Sequence, residues 1–246
     1  MWKLLVIFFA IVLIAQTGWW LHEEDDSNTQ PDTIVEDYIQ ITPFPVMPVV
    51  PQQSVMLNNV PFTPQAPDGN WSNMMFEEGC EEASIVIAMH WVNHSSLSQA
   101  EAIKEIQDIS IFEQEHYGDF YDRSAKDTVQ LIKEYFGYEY VDFRSDIHVS
   151  DIIAELGKGN LVITPMNGQK LLNPFYTPPG PTEHMVVVIG YDSVTHEIIT
   201  HDPGTRHGEQ YRYPEDTFEN ALRDYSTGIN QPITSFQKNM IVVRPE

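Results

Sequence analysis

The stretch Glu78-Gly79-Cys80-Glu81-Glu82-Ala83-Ser84-Ile85-Val86-Ile87-Ala88-Met89 decides how the rest of the chain is read. Its apolar run predicts a helix that continues to about His94 and is apolar on most faces, hence central and buried. A thiol in the first turn of such a helix feels the positive end of the macrodipole, which favours thiolate over thiol. Cys80 is the only cysteine, so no intrachain disulfide framework exists and the fold must rest on its core. A lone cysteine is more commonly one more small buried apolar residue. Its role therefore turns on whether the chain also supplies a base, an orienter and an oxyanion donor.

Downstream, the pattern is helical first. Ser96 or Ser98 could cap a helix through Ala102-Ile103-Lys104-Glu105-Ile106. Asp127 opens another, Val129 to Phe136, closed by Gly137, and Ser150 or Asp151 opens a fourth, Ile152 to Leu156, closed by Gly157. The period then changes. Leu161 to Pro165 is short and β-branched, Asn167 to Glu183 is a Pro- and Asn-rich loop, and Met185 to Tyr191 reads as a buried strand. Ile198 to Thr200, Glu209 to Tyr213 and Met240 to Arg244 are further strands. Helices followed by strands indicate an α+β fold with an antiparallel sheet.

Upstream, the folded domain is expected to begin near Val55, giving a domain over residues 55–246 of roughly 190 residues, enough for a sizeable core. Residues 22–54 form a linker: acids from Glu23 to Asp37 without Lys or Arg, then Pro43, Pro45, Pro48 and Pro51, describe an extended spacer. Residues 1–21 carry Lys3 before an apolar run from Leu4 to Ala15, with Trp19 and Trp20 at its far end. As a helix, Leu4 to Leu21 would reach about 27 Å, close to a ~30 Å hydrocarbon core. The expectation is an uncleaved anchor with its N-terminus inside and the acidic remainder outside the cell; a cleaved signal peptide is the competing reading.

The balance of 13 basic against 36 acidic residues, a formal charge of -23, leaves nothing to neutralise phosphate and argues against nucleic-acid partners. Anionic membrane surfaces or polymers would be repelled, whereas peptides with basic residues or cations such as calcium would be tolerated.

A base and an orienter are offered by one hairpin. With its turn near residues 193 and 194, antiparallel pairing puts position 184 opposite roughly 203. His184 before the first strand and Asp202 after the second then share the open end, where a carboxylate could fix the imidazole tautomer. His201 is the local rival of Asp202, but adjacent residues in a strand point to opposite sides. His90 and His94 are four apart without a third ligand, so a zinc site is not indicated. No phosphate-cradling loop, dinucleotide fingerprint or Gly-x-Ser-x-Gly elbow is present, and no cofactor is expected.

Taken together, Val60-Pro61-Phe62 with Gln65, Gly79-Cys80-Glu81-Glu82-Ala83-Ser84, Gly180 to Met185, Val188 to Asp192, and Thr200 to Arg206 with Gly208 resemble the papain-like cysteine peptidases of the bacteriocin-leader-processing (double-glycine) type. The likeness is to their stand-alone, exported bacterial "C39-like" relatives and covers roughly residues 55 to 246. It implies a papain-like fold, with the nucleophile helix packed on an antiparallel sheet, and a peptide or protein substrate. It further implies Cys80 as nucleophile, His184 as general base and acid, Asp202 as orienter, and Gln65 with the Cys80 N–H as oxyanion hole. In the leader-processing enzymes the glutamine lies only a few residues before the cysteine, whereas here Ala66 to Gly79 intervene, so Asn70 or Asn73 could take its place. No transporter domain follows in this sequence. Two other readings share the residues: a papain-like surface binding module without turnover, and acyl transfer of transglutaminase type or cell-wall-peptide hydrolysis.

Overall fold

The computed structural model describes residues 53–228, 233 and 236–246. The expected anchor and nearly all of the linker lie outside the described residues. Among the described residues no helix is long and apolar enough to cross a membrane.

In chain order the elements are β1 (Val55–Met56), α1 (Met74–Glu77), α2 (Cys80–Val92), α3 (Gln99–His116), α4 (Ala125–Phe136), β2 (Val141–Ser145), α5 (Val149–Gly157), β3 (Leu161–Met166), α6 (Gly168–Leu171), β4 (His184–Asp192), β5 (Glu197–His201), β6 (Tyr211–Pro214), α7 (Glu215–Ala221) and β7 (Asn239–Val243). All strand pairs are antiparallel, in the order β2-β7-β3-β4-β5-β6, with β1 added against β4. This is the expected α+β fold, with one difference in sequence order. β2 lies between two helices and returns to the sheet edge beside β7.

The helix boundaries follow capping chemistry. Ser98 caps α3 in a full capping box with Glu101, satisfying two donors that the first turn leaves open. Ser124, not Asp127, caps α4, and Gly137 closes it in the left-handed conformation. α5 starts at Val149, one residue ahead of the expected caps, because the His148 amide donates to the Asp151 carboxylate at 2.8 Å.

Strand alternation divides the core in two. On β3 and β4, Leu161, Ile163, Met185, Val187 and Ile189 face α2, α3 and α4. Val162, Met166, Val186 and Val188 face α5, α6 and α7. Covering both faces explains why β4 reads as an unbroken apolar run instead of an alternating one. α2 is buried on nearly every side, Ile85, Val86 and Ile87 completely so. Each such side chain contributes about 1.5–3 kcal/mol, so the helix that begins with Cys80 is held fast by its own length.

Candidate active site

The site collects side chains from the N-terminus of α2, the open end of the β4–β5 hairpin, and two loops. The hairpin ladder pairs Asp192 with Glu197 and Val187 with His201, with a register shift between Val188 and Gly190. A turn two residues longer than a tight loop centred at 193 and 194 is thus offset in part by a bulge, which changes the side a strand presents. The outcome is direct contact: His184 Nε2 donates to Asp202 Oδ1 at 2.8 Å.

Asp202 is completely buried and surrounded by donors. Oδ1 also accepts from the Gly204 amide at 3.0 Å. Oδ2 accepts from Tyr176 Oη at 2.5 Å, from Asn173 Nδ2 at 3.1 Å, and from the Tyr213 hydroxyl. Burial by itself would raise this carboxyl, yet the charge and hydrogen bond of His184 and the two tyrosine hydroxyls hold it below its ordinary value. The bond at Nε2 fixes which imidazole nitrogen is committed to Asp202 and leaves Nδ1 as the one available to a reacting group. Tyr176 sets its ring edge-on against His184, centroids 5.4 Å apart. Gly204 closes the other side: a Cβ there would stand 2.8 Å from His184 Cε1. Gly208 is equally constrained, since a Cβ would overlap the Asp202 carbonyl, which accepts nothing larger beside it.

His201 points elsewhere, as alternation requires. Its Nε2 donates to the Val60 carbonyl at 3.0 Å and its Nδ1 accepts from the Gln210 amide at 3.1 Å. That pairing stitches the segment before α1 to the hairpin, and the Gln65 amide adds a bond to Pro203 O at 2.8 Å.

Cys80 and His184 line one cleft of about 1170 Å³, together with Gln65, Tyr176 and Gly204. Both residues are themselves deeply placed, 5% and 2% exposed. The thiol environment differs from the expectation. Sγ donates to Glu81 Oε2 at 3.0 Å. Burial, then the charges of Glu81, Asp122 and Glu82, push the Cys80 thiol well above its ordinary value. The helix N-terminus, with no side-chain cap on Gly79, is outweighed by the acids packed around it.

Gln65 lies on the cleft wall, where its Nε2 donates to the carbonyls of Phe76 at 3.0 Å and Glu77 at 2.7 Å. Both amide hydrogens are thereby engaged by α1. Asn73 caps α1, and Asn70 Oδ1 accepts from Ser72; neither lines the cleft. The cleft also exposes Asp68, Glu77, Glu78, Asp122 and Glu183 against Arg206. Burial, followed by the charges of Glu81, Glu78 and Glu183, pushes Asp122 up to about 8.

His90 bonds the Ser96 carbonyl and Glu105. Among the described residues no group of three or more His, Cys, Asp or Glu side chains is arranged to hold a metal ion.

Sequence reasoning passed over Glu81, Tyr225, Tyr176, Tyr213 and Asn173. Only Glu81 carried a signal: an acid in the first turn of a helix that is apolar on most faces is placed for burial. The three groups on Asp202 Oδ2 come from a loop and an edge strand, and no local pattern marks them.

A family profile described as the Peptidase_C39 like family matches residues 57–230. Among solved structures, a C39-like peptidase candidate from Bacillus anthracis matches with a TM-score of 0.49 and 18% identity, over 78% of this chain and 98% of that one. No curated protein matches.

Proposed function

We propose that this chain, which belongs to the Peptidase_C39 like family, is a cysteine peptidase that hydrolyses peptide bonds through Cys80, His184 and Asp202. One observation carries the reading. The His184–Asp202 pair, with Nε2 bound to the carboxylate, opens on the same cleft as the only cysteine.

In the reaction, the Cys80 proton passes to His184 Nδ1 and the sulfur electron pair attacks the scissile carbonyl carbon. Asp202 holds the ring and offsets its positive charge. The Cys80 amide, in the uncapped first turn of α2, donates to the developing oxyanion, and Gln65 adds a second donor by releasing one of the two α1 carbonyls. The imidazolium then gives its proton to the leaving amine. Water, deprotonated by the same ring, cleaves the thioester and restores the thiol.

The charge pattern of residues 1–21 supports an extracytoplasmic placement tethered by that segment. Cell fractionation checks it: recovery in the soluble cytoplasmic fraction would refute the tether. A non-hydrolytic binding module is the second reading, favoured by the neutral thiol and by the engaged amide of Gln65. Incubating the full-length chain with a peptide library separates the two. Cleavage by the wild type that vanishes in Cys80→Ala and falls at least ~100-fold in His184→Ala is expected; equal cleavage by Cys80→Ala, or none by the wild type, would refute the peptidase.

A further inference from the structure

Glu81 has no place in the reaction just described, yet among the described residues it makes the one side-chain hydrogen bond of the nucleophile. Its carboxylate is 2% exposed. Oε1 accepts from Tyr225 Oη at 2.5 Å and from the Arg123 amide at 3.2 Å, and Oε2 receives the thiol at 3.0 Å. All three neighbours are donors, so the surroundings are built for an ionised acceptor. The hydroxyl and the amide come from segments remote in sequence, before α4 and after α7, and fix the carboxylate rigidly at the root of α2.

We infer that Glu81 is a positioning residue for Cys80, holding the thiol neutral and its proton off His184, so that this carboxylate sets the pH range in which the sulfur reacts. The inference rests on the reading of Cys80 as nucleophile and His184 as its base. The groups that face the sulfur are Glu81 and Glu82 from α2, Asp122 from the loop before α4, and Tyr225 from the loop after α7. His184 lines the same cleft as Cys80. The His184 imidazole spends its Nε2 on Asp202 and makes no hydrogen bond to sulfur among the described residues. Activation therefore transfers the S–H proton from the Glu81 contact to His184 Nδ1, leaving the electron pair on sulfur and Glu81 ionised as before. A fixed negative charge beside the sulfur opposes that step.

Because Cys80 is the only thiol, iodoacetamide alkylation of the full-length chain reads it without interference. In Glu81→Gln the alkylation-rate midpoint should fall by about one pH unit or more. The rate at pH 6 should rise about threefold per unit, since a less basic thiolate is also a weaker nucleophile. Tyr225→Phe removes a donor from Glu81, strengthens its effective charge, and should move the midpoint in the opposite direction. A structural role would impair both variants alike and would not produce shifts of opposite sign. An unchanged or raised midpoint in Glu81→Gln overturns the inference; should that variant not fold, an unchanged or lowered midpoint in Tyr225→Phe does so. The peptidase reading fails separately: opposite shifts together with no peptide cleavage by the wild type would keep Glu81's role and remove the hydrolysis.

Discussion

Replacing Asp202 by asparagine is expected to cost stability and activity together, for one reason. Every group on the carboxylate is a donor: the His184 imidazole and Gly204 amide on Oδ1, and two tyrosine hydroxyls and an amide on Oδ2. Whichever oxygen becomes NH₂, at least two hydrogen bonds to a buried charge are lost and donors are left facing a donor. At about 1.5–3 kcal/mol for each such bond, the loss is about 3–6 kcal/mol at pH 7. Urea denaturation followed by tryptophan fluorescence measures it. The pH dependence adds a second check. The folded carboxyl titrates below its ordinary value, so its contribution is complete above pH 3.8 and is lost as pH falls through the folded value. The gap between wild type and Asp202→Asn should therefore be constant near neutrality and shrink below about pH 4, because a protonated Asp202 carries the same misplaced donor. Peptide cleavage and thiol alkylation should fall with the loss of ring orientation. A destabilisation under about 1 kcal/mol at pH 7, or a gap that widens in acid, would refute the reasoning.

Gly204→Ala should displace the His184 ring by placing a methyl group 2.8 Å from Cε1; a cleavage rate lowered at least ~10-fold, together with a lower urea midpoint because the buried site has to give way, is the expected result. The excess of acids over Arg206 along the cleft should favour peptides with Lys or Arg near the scissile bond over their Gln counterparts, and the preference should collapse between low and ~0.5 M salt. A preference insensitive to salt would count against it. Asp122 titrates at about 8 in the folded chain against an ordinary 3.8, so the wild type should lose stability as pH rises between those values. Asp122→Asn, compared at pH 4 and pH 8 by urea denaturation, should be more stable than wild type at the higher pH and nearly equal at the lower.

How far these residues could be read from the sequence depended on whether their partners were near in the chain. His184 and Asp202 sit on one hairpin, and its geometry brings them together through a short loop, so counting residues from the turn came within one position of the true register. The long apolar strands and the capped helices were legible for the same reason. β2 was not, since Val141 to Ser145 is an edge strand with only Val141 fully buried, and its partner β7 lies about a hundred residues away. The state of the thiol was misjudged because burial and the packed acids outweigh the helix end: Glu81 is its neighbour in the chain, but the burial and Asp122 reach Cys80 only through the tertiary fold. Asn173, Tyr176 and Tyr213 share that difficulty: three ordinary loop and strand residues acquire a role by meeting at one carboxylate.

The place of β7 has a consequence for synthesis on the ribosome. This strand lies between β2 and β3, yet it is translated long after both. At roughly 5–20 residues per second, β3 waits on the order of ten seconds with one edge unpaired while the hairpin, the loops and the remaining helices α6 and α7 emerge. The apolar edge of Leu161 to Ile163 is exposed to other nascent chains throughout that interval. The nucleophile, the base and the orienter are all made before the strand that closes the sheet, so a chain arrested shortly before Asn239 would hold every reactive group and lack the support that β7 gives to β3.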